Sequence, residues 1–149
     1  MIKKILVAVD GSKLADHALD FALDLADKYS AEVMVITVFN APSQTLVEQG
    51  RVFVPVSSEN YVERFTAFYE KILLEALKKA KKIRPKIRAS KQLLQGRPAD
   101  KIVETAKEGS FDLIVVGSRG LGGIKEFFLG SVSDRVADEA SCPVLIVKD

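Results

Sequence analysis

The sequence predicts a three-layer, doubly wound α/β fold in which a five-stranded parallel sheet lies between helices. Three observations predict it. Short apolar runs alternate with stretches of helical period. Most of the runs are apolar at successive positions, as strands buried on both faces are. The order strand, helix, strand repeats along the chain, and parallel neighbours need crossovers of this kind. At 149 residues the chain, taken as residues 1–149, has the length of one domain and can bury roughly two thirds of its unfolded surface.

The elements follow in order. Ile5 to Val9 is an apolar run that ends at Asp10, Gly11 and Ser12, a turn, and Ser12 is placed to cap the next element. Ala15, Ala18, Leu19, Ala22, Leu25 and Ala26 then recur at helical spacing, with Asp16, Asp20, Asp24 and Asp27 on the other side. Val33 to Phe39 is β-branched and apolar and stops at Asn40, Ala41 and Pro42. Tyr61, Phe65, Phe68, Tyr69, Ile72, Leu73, Ala76, Leu77 and Ala80 mark the longest helix. It ends in the lysine-rich stretch from Lys78 to Arg84, suited to the negative end of a helix dipole. Ile87 to Leu94 mixes polar and apolar residues, a strand nearer the sheet edge, and Pro98 suits the first position of the helix after it. Leu113 to Val116 is a fourth strand, Ser131 to Ala140 a helix with Val132, Val136 and Ala137 inward, and Val144 to Val147 a fifth strand.

Composition narrows the function. A net charge of +2 is too slight for the concentrated basic field of a nucleic-acid or membrane partner. The apolar start is too short for a signal peptide, and no run approaches the about 20 residues of a membrane span. Cys142 is the only cysteine, which fits a reducing compartment and excludes an intrachain disulfide. These readings place the chain in the cytoplasm. Pro42 to Ser57 exceeds the roughly 2 to 6 residues usual between strand and helix in α/β units. An ordinary surface loop, a lid over a ligand and a partner-binding segment built on Val52, Phe53, Val54 and Val56 all fit it.

The chemistry concentrates after the fourth strand, where Gly117, Ser118, Arg119, Gly120, Leu121, Gly122, Gly123 and Ile124 precede Gly130, Ser131, Val132 and Ser133. Glycines let a ligand approach the backbone, and amides at a helix start favour an anion, of which phosphate is the natural one. Ser131 and Ser133 offer hydroxyls and Arg119 a planar cation. The plainer alternative is that these glycines serve tight turns and Ser131 caps a helix. The P-loop ending and the dinucleotide fingerprint are both missing.

The spacing Gly117, two residues, Gly120, nine residues, Gly130, Ser131 resembles the ATP-binding motif of the universal stress protein family. The resemblance extends over Ile5 to Ser12, Gly96 to Ile102 and Cys142 to Val147. It implies a Rossmann-like sheet ordered 3-2-1-4-5, ATP beside the first and fourth strands, and a homodimer paired through the last strand, Val144 to Val147. Carried over by position, Ala8, Val9 and Asp10 would line the adenosine site, with Asp10 accepting hydrogen bonds from the nucleoside; the plainer alternative for Asp10 is a turn-forming aspartate. Val38 would contact adenine. Val116, Gly117, Arg119 and Gly120 would border ribose and phosphates, and Gly130, Ser131, Val132 and Ser133 would hold the phosphates.

The leading expectation is a nucleotide-responsive regulatory binding protein with an unknown protein partner. The alternative is a slow ATPase or phosphotransferase that uses magnesium or manganese, with Asp10 or Asp134 as acids. No carboxylate lies between Gly117 and Lys125 to support it. A nucleotide-free scaffold fits the intact motif poorly, and a phosphorelay receiver lacks its aspartate near Leu93 to Gln95. His17 reads as a surface histidine, Cys142 as a packing residue, and Lys78, Lys79, Lys81, Lys82 and Arg84 as a solvated helix end.

Overall fold

A computed structural model describes residues 1–40, 58–120 and 130–149, with the side chains of 58–61 outside the description. The expectations for Pro42 to Ser57 and for Leu121 to Ile124 therefore lie outside the described residues. The elements are β1 (Lys4–Ala8), α1 (Lys13–Tyr29), β2 (Glu32–Phe39), α2 (Ser58–Ile83), β3 (Ala89–Gln95), α3 (Pro98–Glu108), β4 (Leu113–Gly117), α4 (Ser131–Glu139) and β5 (Val144–Val147). The strands form one parallel sheet in the order β3-β2-β1-β4-β5. Ile5 pairs with Val33 on one side and with Leu113 on the other, so β1 and β4 are the strands at which the winding reverses.

Alternation along the strands divides the core in two. Ile5, Val7, Val9, Val33, Val35, Leu113 and Val115 face Ala18, Leu19, Ala22 and Leu23 of α1 and Leu73 and Ala80 of α2. Leu6, Ile36, Ile114 and Val116 face Ala99, Ile102 and Ala106 of α3 and Val136 of α4. Successive strand residues point to opposite faces, so a run such as Ile5 to Val7 must be apolar throughout when both faces are covered. Among the described residues no helix is long and apolar enough to cross a membrane.

Local chemistry sets several boundaries. Ser12 caps α1, its hydroxyl accepting from the Ala15 amide at 3.2 Å, and Pro98 opens α3. The third strand starts at Ala89 rather than Ile87, because the Ile87 amide is turned back to the Arg84 carbonyl at 3.1 Å and ladder pairing begins with Ala89 opposite Val33. Helix α4 also differs from expectation. Ala137 is exposed, and Ser133 takes an inward position beside Val132 and Val136.

The basic end of α2 is not simply solvated. Lys79 reaches Asp16 and Asp20 of α1, both at 2.7 Å, and Arg84 reaches Asp24 at 2.6 Å and Asp27 at 3.7 Å. The acidic stripe of α1 thus meets Lys79 of α2 and Arg84, just past the end of α2, along one seam. Half-exposed pairs of this kind contribute little individually, and they fix the register of the helices more than their stability.

Asp112, just before β4, ties the sheet to the start of the chain. Its carboxylate accepts from the amides of Lys3 at 2.8 Å and Lys4 at 2.9 Å. Those two amides hold its carboxyl below the ordinary carboxylate range. A folded-state value lowered in this way adds stability above the unfolded value, and that contribution is lost as pH falls through the folded one. Asp112→Ala should therefore lower the urea midpoint at neutral pH. The gap from the unaltered chain should close once pH drops well below about 4, where ordinary aspartates titrate. A gap independent of pH would show that the carboxylate charge plays no part.

Candidate functional site

In an open α/β sheet the crevice lies beyond the carboxyl ends of the strands where the winding reverses. Here that place is between the turn after β1, Val9 to Ser12, and the turn after β4, Ser118 to Gly120. The two turns touch. A Cβ added at Gly120 would run into the Asp10 carboxylate, so only a glycine leaves that carboxylate its place. The other oxygen of Asp10 accepts from the Ser12 amide at 2.9 Å, a local bond that folds the turn around Gly11.

Ser118 joins the remaining parts. Its amide donates to the Val147 carbonyl of β5 at 2.8 Å, and its carbonyl accepts from the Gly130 amide at 2.7 Å and from the Ser133 hydroxyl at 2.9 Å. The Ser133 hydroxyl also lies 3.0 Å from the Gly130 carbonyl. These bonds hold the start of α4 against the end of β4. The first bond to the carbonyl of the helix cap comes from the Asp134 amide, at 3.0 Å from Gly130. The amides of Ser131, Val132 and Ser133 therefore have no partner within the helix, and they concentrate its positive end beside the glycine turn.

Three small apolar residues line the same side. Ala8, Val38 and Val116, near or at the carboxyl ends of β1, β2 and β4, all lie with the α3 and α4 face of the core. Val116 is buried, whereas Ala8 and Val38 are half-buried and leave surface for a flat apolar group. Val9 points the other way, into the α1 and α2 core. Its amide donates to the Ile36 carbonyl at 2.9 Å and its carbonyl accepts from the Thr37 hydroxyl at 3.0 Å. Val9 is pinned from both sides, which fixes where Asp10 emerges.

The expected site residues are brought together unevenly. Asp10 and Gly120 meet, and Gly117 to Gly120 is joined to Gly130 through Ser118. Ser131 is exposed, whereas Ser133 is buried and its hydroxyl donates to backbone carbonyls. The Arg119 guanidinium lies 3.4 Å from the Asp149 carboxylate, at the β5 side of the turn. Thr37 and Ser118, both buried polar residues, are positioning groups that sequence reasoning passed over. A lone threonine in the apolar run of β2 and a serine between glycines are the signals that could have found them. Half-buried His17 lies along α1. Cys142 packs against the α3 and α4 core, and burial pushes its thiol up, away from the reactive thiolate. Among the described residues no three metal-ligating side chains converge.

Comparison with known proteins gives this geometry a context. The sequence model of the universal stress protein family matches residues 1–148. Universal stress protein YxiE of Bacillus subtilis strain 168 is 40% identical over 151 residues, spanning 99% of this chain and 100% of that protein. The structure of the universal stress protein from Archaeoglobus fulgidus in complex with dAMP is 25% identical with a TM-score of 0.68, covering 99% of this chain and 98% of that one. A universal stress protein in complex with cAMP is 29% identical with a TM-score of 0.68, covering 97% of this chain and 95% of that one. Over nearly its whole length, this chain belongs to the universal stress protein family.

Proposed function

We propose that the chain binds an adenine nucleotide, ATP foremost, in the crevice between Asp10, Gly120 and the start of α4, and acts as a nucleotide-responsive regulatory protein of the stress response. The observation that carries the reading is the meeting of the Asp10 carboxylate, Gly120 and a helix N-terminus at the winding reversal. Each suits one part of the ligand. The half-buried surface of Ala8 and Val38 suits adenine, the Asp10 carboxylate can accept from ribose hydroxyls, and the amides of Ser131 to Ser133 suit phosphate oxygens. Two relatives with solved structures are complexes with dAMP and cAMP.

A magnesium or manganese ion enters this reading as the usual companion of the triphosphate. Occupancy regulates only if ATP binds one arrangement of the surrounding surface more tightly than another. The partner surface includes a second copy through β5, an edge strand whose Val144, Leu145 and Ile146 are only half-buried. Cytoplasmic residence follows from the same reading. The test is mass spectrometry of ligand released by denaturing protein purified without added nucleotide. Recovered ATP, in amounts comparable with the protein, is expected. Protein that yields no nucleotide, and that gives no heat with ATP at millimolar concentrations, would contradict the reading.

A further inference from the structure

The turn that presents Asp10 is built on a residue that cannot hold its own shape. Gly11 adopts φ +87°, in the left-handed region, where glycine is at ease but also samples many alternatives. The Asp10 carboxylate bonded to the Ser12 amide closes the turn from within. On one side it meets a side chain of α2. A Cβ at Gly11 would lie 3.1 Å from Cδ1, 3.4 Å from Cγ1 and 3.8 Å from Cγ2 of Ile72, so the branched end of that isoleucine lies over the glycine. Ile72 is half-buried, packed against the core that contains Val9, and as a β-branched residue it is stiff about χ1.

Three residues earlier, on the same side of α2, Tyr69 stacks on Phe39 at 5.3 Å between ring centroids and 14° between planes. Phe39 follows Val38, and its carbonyl accepts from the Gly96 amide at 2.9 Å. Helix α2 is thus seated on the ends of both β1 and β2, through two neighbouring side chains.

We propose that Ile72 is a positioning residue for the ligand crevice: without touching the ligand, it holds the Gly11 turn so that the Asp10 carboxylate stays opposite Gly120. This inference rests on the adenine-nucleotide reading above. When the isoleucine is shortened, the turn gains freedom that a bound nucleotide must then remove, and affinity falls by the cost of that ordering.

The experiment uses the full chain with Ile72→Ala and Ile72→Val, and Leu73→Ala as the comparison. Leu73 is the fully buried neighbour in the α1 and α2 core; Leu73→Val replaces the alanine variant if that does not fold. Calorimetry measures AMP and ATP affinity, and amide hydrogen exchange reports on Ser12, whose amide bonds the Asp10 carboxylate, and on Gly130, whose amide bonds the Ser118 carbonyl. Ile72→Ala should weaken both nucleotides by about three- to tenfold, a cost of order one lost ordering contact, with Ile72→Val losing less. Exchange should quicken at Ser12 and not at Gly130. The Leu73 variant should lose stability and keep wild-type affinity in its folded fraction. Wild-type affinity in the Ile72 variants, or an equal loss in the Leu73 variant, would overturn the proposal. A wild-type chain that binds neither nucleotide would instead overturn the reading beneath it, and the inference with it.

Discussion

Gly120→Ala is expected to weaken adenine-nucleotide binding by about tenfold or more, with a stability loss no larger than about 1.5–3 kcal/mol, the order of the one bond Asp10 makes to the Ser12 amide. The reason is local. The added methyl would occupy the place of the Asp10 carboxylate, which is the far end of a side chain and can swing aside while the backbone stays. A displaced carboxylate no longer meets the nucleoside, and a hydrogen bond to a charged group contributes roughly 1.5–3 kcal/mol, which matches a loss of that size. The Asp10→Ala variant provides the internal check. If Gly120→Ala acts by moving Asp10, the two changes share one effect, and the double variant should bind no worse than Asp10→Ala alone. Additive losses, measured by calorimetry, would show that Gly120 serves the phosphates directly.

Gly117→Ala is expected to do the reverse and cost stability first. A Cβ there would come within 3.0 Å of the Leu14 carbonyl carbon and 3.1 Å of its oxygen and Cβ. These are mostly backbone atoms in the first turn of α1, and β4 is held between β1 and β5, so neither side can yield cheaply. Overpacking of this kind typically costs about 1–3 kcal/mol. Urea unfolding should show that loss at unchanged slope. A loss below about 0.5 kcal/mol, the range of ordinary surface changes, would mean that α1 slides away from the strand without resistance. The two glycines thus sit three residues apart with different duties, one admitting a helix and one admitting a carboxylate.

The architecture was legible because its signals are periodic and local. Ile5 to Val9 and Leu113 to Val116 read as buried strands from their own composition, and α1 from the spacing of Ala18, Leu19, Ala22 and Ala26. Local pattern was silent where distant contacts decide. Nothing near Ala137 says that Ser133 will point inward instead; that follows from the Ser118 carbonyl, fifteen positions away, accepting its hydroxyl. Likewise Thr37 is a β-branched residue in a strand until the Val9 carbonyl is seen 3.0 Å from its hydroxyl. The seam between Lys79, Arg84 and the α1 aspartates also depends on how two helices lie side by side. The candidate site was read as a place, from its glycine spacing and its resemblance to a family motif. Its internal division of labour was not, because a glycine's purpose is written in what approaches it. Gly117 makes the point: its spacing resembles that of a nucleotide-binding motif, and its neighbour is Leu14.

The proposed place of the adenine nucleotide is the crevice where the sheet's winding reverses. The most direct measurement is an amide-shift titration by nuclear magnetic resonance with ATP added to the full chain. Saturable shifts should concentrate at Asp10 to Ser12, Ser118 to Gly120 and Gly130 to Ser133, and leave the opposite end of the sheet, around Lys4 and Glu32, unmoved. Shifts centred on that opposite end, or no saturable shift at millimolar ATP, would contradict the account.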